Sequence, residues 1–131
     1  MIKAKYFSER EFNRLSPACS LQDMAQDTMT MLDRMRALCG FPIVLTCAFR
    51  TKEWDLAKGR SGNSAHTRGK AVDILCNDSA KRFKIVWAAR EVGFNRIGIG
   101  SNFIHVDNDT TLPQNVMWHY YNSTDITHID G

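Results

Sequence analysis

Two short, apolar, β-branched runs of this chain are each broken by an ionisable residue: KAVDIL (70–75) by Asp73 and FIHVD (103–107) by His105. Side chains alternate between the faces of a strand. Val72 and Ile74 therefore oppose Asp73, while Ile104 and Val106 oppose Phe103, His105 and Asp107. Aspartate is a poor strand former, and its carboxylate is costly to bury. Two readings follow. Either these are edge strands turning a polar face to solvent, or one sheet has an apolar face in the core and projects a carboxylate and an imidazole into a cleft from the other.

The flanking segments supply the cover for such a sheet. Leu21, Met24, Thr28, Met31, Leu32, Met35 and Leu38 recur at helical spacing, and Gly40 stops the run, which predicts a helix over 21–38. Ser8 followed by Glu11 is a capping-box pattern and predicts a short helix over 6–15. FPIVLTCAF (41–49) predicts a buried strand that delivers Arg50 at its end. Residues 51–64, with RSGNS, read as a loop. Ser79 is expected to cap a helix through 92 that Gly93 ends, with Phe83, Val86, Trp87 and Arg90 on one face and Phe83 and Trp87 in the core. RIGIG (96–100) and FIHVD are expected to pair through a Ser101-Asn102 turn. The order predicts an α+β fold, a small antiparallel sheet with helices packed on one face. It occupies a single domain over 1–118, with 119–131 as a C-terminal tail.

At 131 residues the chain is long enough for one real core. Its net charge of +3 is scattered, so nucleic acid is not an expected partner. No stretch approaches the roughly 18 apolar residues of a membrane span. The opening MIKAKYFSEREF lacks the apolar core of a secretory leader, which predicts cytoplasmic synthesis. The four cysteines form no C-x-x-C pair, and Cys39 and Cys47 read as buried thiols. The chain is expected to be a monomer.

His66 sits in the polar loop before the first of the two interrupted strands. With Asp73 and His105 it offers two imidazoles and a carboxylate. That is the three-ligand set of a catalytic zinc, which keeps a fourth position open for water.

At this point the sequence resembles a known family. SAHTRGKAVDI followed by FIHVD is similar to the S-x-H-x(6)-D and H-x-D pattern of the zinc D-alanyl-D-alanine carboxypeptidases, a group that includes murein endopeptidases and phage endolysins. YFSEREF, FPIVLTCAFRT and GFNRIGIGSNFIHVD resemble further segments of it, and Trp118 falls where such domains often end, so the likeness covers roughly 6–118. It implies a hedgehog-like fold with zinc in a cleft on the sheet, and His66, Asp73 and His105 as its ligands. It also implies that Arg50 binds substrate and stabilises the oxyanion, and that Ser64 either binds substrate or shapes a turn. The implied substrate is a peptidoglycan stem peptide or cross-bridge, reached after phage lysis or export. The chain departs from the pattern in three places. Asn102 stands where relatives carry an acidic base, Cys47 replaces a serine, and Phe49 replaces a tyrosine. Asp107 is then either the substitute base or a carboxylate that orients a ligand. A non-catalytic zinc-binding module of the same fold is the alternative reading.

Overall fold

The computed structural model describes residues 1–120. Helix α1 (Glu9–Asn13) is opened by the Ser8–Glu11 capping box, in which the Glu11 carboxylate accepts from the Ser8 N–H at 2.6 Å. The helical periodicity from Leu21 splits in two. Leu21–Asp23 forms a single 3₁₀ turn, and α2 (Gln26–Cys39) begins only after Ala25, whose N–H is drawn away to the Gly69 carbonyl. Gly40 ends α2 in the left-handed conformation, at φ 74°.

Strand β1 (Leu45–Cys47) is shorter than the 41–49 run suggests, and α3 (Lys52–Ala57) occupies part of the segment expected to be a loop. Thr51 starts α3 by accepting from the Trp54 N–H. Next come β2 (Ala71–Leu75), α4 (Ser79–Val92), β3 (Arg96–Ile99), β4 (Phe103–Asp107) and β5 (Val116–His119). The cap of α4 is Asp78, not Ser79: its carboxylate accepts from the N–H groups of Ala80 and Lys81 at 2.8 and 3.1 Å.

The expectation of an antiparallel sheet needs correction. The strands lie in the order β1-β2-β4-β3-β5, and the last pair, β3 with β5, is parallel, so the sheet is mixed. The connection across 108–115 carries the chain back so that β5 runs alongside β3. Helices α2 and α4 pack together and share one core with Val72, Ile74, Ile104 and Val106 from β2 and β4. The buried face of α4 is Ile85, Ala88, Ala89 and Val92. Phe83 and Trp87, expected in the core, are instead 79% and 40% exposed. Small alanines let α4 approach its neighbours, so the aromatic stripe turns outward. No described helix is long and apolar enough to cross a membrane.

One feature of the register governs everything on the other face. Cys47 pairs with Asp73, Asp73 with His105, His105 with Gly98, and Gly98 with Trp118. Five residues from five strands thus form a single transverse row.

Candidate metal centre

Asp73 and His105 face each other directly across β2 and β4, and a third group joins them from outside the sheet. His66 lies in a 3₁₀ turn (Ala65–Arg68) that ends at Gly69 with φ 70°. A Cβ at Gly69 would collide with the Asp23 carbonyl, so only glycine lets the turn pass this close and fold back into β2. His66 Nε2 then stands 3.2 Å from His105 Nδ1 and 3.3 Å from Asp73 Oδ1, with Asp73 Oδ1 3.1 Å from His105 Nδ1.

That triangle fits an ion. A tetrahedral ion held at about 2.0–2.1 Å from nitrogen and oxygen donors spaces those donors roughly 3.3–3.4 Å apart. The ring tautomers agree. His66 Nδ1–H donates to the Ala48 carbonyl at 2.7 Å, and His105 Nε2–H donates to Asp107 Oδ2 at 2.6 Å. Each ring therefore turns a lone pair toward the triangle. Two lone pairs and a carboxylate oxygen within 3.3 Å repel one another unless a cation sits among them.

Without a metal, that cation is a proton. Burial works against charge on both rings. For His66 it is outweighed by Asp73 and Cys47, and for His105 by Asp107 and Asp73, so both imidazoles titrate above the ordinary histidine value. Burial likewise opposes the charge on Asp73, but hydrogen bonds with His105 and His66 hold its carboxyl well below the usual range. Metal must displace these protons, and competition sets in already near neutrality. Apparent metal affinity is expected to fall by about tenfold per pH unit or more on going from about pH 8 to pH 6. Titration against a chromophoric chelator at several pH values checks this, and a flat profile would contradict the proposed donor set.

Asp107 does not stand where a base would. It is fully buried behind His105. One oxygen receives the His105 proton; the other pairs with Arg96 Nε at 2.8 Å and accepts from the Asp109 N–H at 3.1 Å. Both oxygens are engaged on the side of the ring away from the triangle. Of the two roles open to Asp107, these bonds are those of the carboxylate that orients a ligand.

Arg50 is held just as firmly. Its Nε pairs with Asp55 Oδ1 at 2.8 Å, and its Nη2 donates to Ser64 Oγ, which in turn donates to Asp55 Oδ2. Ser64 is therefore engaged in orienting Arg50. Asp55, on α3, is the residue the sequence reading missed; the clue was Thr51 at helix-capping distance ahead of Trp54-Asp55. Cys47 Sγ lies 3.9 Å from His66 Nδ1, the nitrogen facing away from the triangle, and takes a 3.7 Å contact from Arg50 Nη1. It also falls within reach of a His66–Asp73 metal group.

A cleft of about 450 Å³ opens over these groups, lined by Arg50, Arg60, Arg96, Phe103, Trp118 and Tyr120 among others. Asp73 and Asp107 are its only carboxylates among the described residues. Asn102 lies in the exposed β3–β4 turn and does not line it. His119 ends β5, and residues 121–131 lie outside the described residues.

An α+β fold that gathers two histidines and an aspartate beside a buried arginine offers a candidate centre for metal-dependent hydrolysis. The chain belongs to the Peptidase M15 family, whose profile matches residues 5–107. It is therefore a metallopeptidase. A comparison with curated proteins gives no match.

Proposed function

We propose that the chain is a zinc-dependent peptidase that hydrolyses D-amino-acid-containing peptide bonds in peptidoglycan stem peptides or cross-bridges. It would serve as a phage or prophage endolysin or as a murein-remodelling enzyme, reaching the wall after lysis or export. The observation that carries this reading is the triangle of His66, Asp73 and His105, whose two ring nitrogens and one carboxylate oxygen lie within 3.3 Å of one another. A zinc ion there would polarise the scissile carbonyl and lower the pKa of water to about 7.

The remaining work falls to the chain itself. Ala48 and Asp107 hold the two imidazoles in the tautomers that point their lone pairs inward. Arg50, fixed by Asp55 and Ser64, presents a permanent positive charge to the substrate carbonyl or to a peptide carboxylate. Arg60 adds positive charge to the cleft, where Arg96 is offset by Asp107, and this suits a carboxylate-bearing stem peptide.

The absence of an unengaged carboxylate among the described lining residues favours one second reading, a zinc-binding module that grips the same peptides without cutting them. Incubating the zinc-loaded protein with purified peptidoglycan and analysing the soluble fraction by mass spectrometry separates the two. The peptidase reading expects released stem-peptide fragments, abolished by a chelator and restored by zinc. Tight zinc-dependent retention on the polymer with no fragments would establish the module instead.

A further inference from the structure

Trp118 and Tyr120 belong to the edge of the sheet, yet both reach back over β3 to line the cleft. Gly98 makes this possible. It is the register partner of His105 on one side and of Trp118 on the other, and a Cβ there would lie 2.7 Å from both Trp118 Nε1 and Tyr120 Cε2. With only hydrogen at 98, the Trp118 ring settles 5.3 Å from the His105 ring, and the Tyr120 ring packs 5.0 Å from Phe103. The Tyr120 N–H, bonded to the Ile99 carbonyl at 3.0 Å, keeps the chain on the sheet edge as it leaves β5.

The polar ends of these rings carry the argument further. The Trp118 and Tyr120 rings meet edge-on, with centroids 6.2 Å apart. A phenol can donate as well as accept, so its O–H can be given to an oxygen bound in the cleft. Tyr120 lines the same cleft as Arg50, Asp73 and Asp107. Burial foremost, with the two carboxylates, pushes its pKa upward despite the indole and Arg50, so the phenol keeps its proton at neutral pH.

We propose that the Tyr120 hydroxyl is a second donor, beside Arg50, to the oxyanion that forms as the scissile carbonyl becomes tetrahedral, and that Gly98 and Trp118 are the positioning residues that aim it. The role requires no proton transfer: the phenol donates a hydrogen bond and keeps its proton throughout. It rests on the peptidase reading above and adds to it a catalytic group outside the metal donors.

The test uses the full zinc-loaded chain and its Tyr120→Phe variant, which removes one oxygen and keeps the ring. The expected result is a loss of about 10²- to 10³-fold in kcat with KM little changed and zinc content intact. Calorimetry gives a readout independent of turnover. A phosphinate isostere of D-alanyl-D-alanine, tetrahedral and anionic, should bind the variant more weakly by a similar factor, while the planar dipeptide binds both proteins alike. Gly98→Ala, which would push both rings aside, should repeat the pattern. Hydrolysis indifferent to Tyr120→Phe, or equal weakening of phosphinate and dipeptide, would overturn the proposal alone. A wild-type chain that binds zinc and cuts nothing would overturn the peptidase reading and this proposal together.

Discussion

His105→Ala is expected to empty the metal centre, with bound zinc falling from about one ion per chain to near none and hydrolysis lost in parallel. The size of the effect follows from the triangle. Removing one corner leaves two donors, and the lost ring is also the one that Asp107 steadies from behind. Asp107→Asn should separate the two roles. It keeps the volume and an acceptor oxygen but gives up the charge facing His105 and Arg96, and changes to such supporting groups cost about 10–100-fold in metal affinity. Zinc content by elemental analysis and affinity by competition titration distinguish the cases. Full zinc occupancy in His105→Ala would mean that the ion, if any, sits elsewhere, for instance with Cys47.

The second large effect lies at Asp55. This carboxylate has no exposure, and its partner Arg50 has only 9%. Deleting one member of a buried pair strands the other's charge in a medium that cannot solvate it. Asp55→Ala should therefore cost about 3–5 kcal/mol, a large part of the roughly 5–15 kcal/mol that holds a typical domain folded. Urea denaturation measures it directly. Replacing both partners with apolar residues of similar volume, as in Asp55→Leu with Arg50→Met, should recover most of the stability and none of the activity. Recovery of hydrolysis in that double variant would remove Arg50 from any role with substrate.

The interrupted strands were legible because they break a simple pattern, with a charge inside AVDIL and an imidazole inside FIHVD, although the strands alone left open whether that polar face met solvent or a cleft. The α2 stop at Gly40 and the end of α4 at Gly93 were legible for local reasons, since glycine enters the left-handed region cheaply, and the β3–β4 turn because Ser101 and Asn102 separate two apolar runs. What was not legible depends on distance in the chain. Nothing local tells VMWH to lie parallel to β3, because that choice is made by the crossover before it. Helix α3 is six residues long and buries chiefly an aspartate, so it carries no apolar stripe to detect. On α4 the bulkiest residues drew the eye to Phe83 and Trp87, while packing chose the stripe of Ile85, Ala88, Ala89 and Val92 that permits close approach. Asp107 was ambiguous for a different reason. Its position on the strand placed it on the correct face, but only the side from which it meets His105 decides between handling a proton and bracing a ring.

The transverse row has an outcome for how such a protein can change. Two of the residues that would seat the ion, Asp73 and His105, come from interior strands paired on both flanks, whereas the aromatic wall hangs on β5, the edge strand among the described residues. Mutations around Val116–Tyr120 can reshape what is gripped while the inner seat keeps its dimensions. Diversification of preferred peptides in proteins built this way should concentrate at that rim, leaving the chemistry beneath it constant.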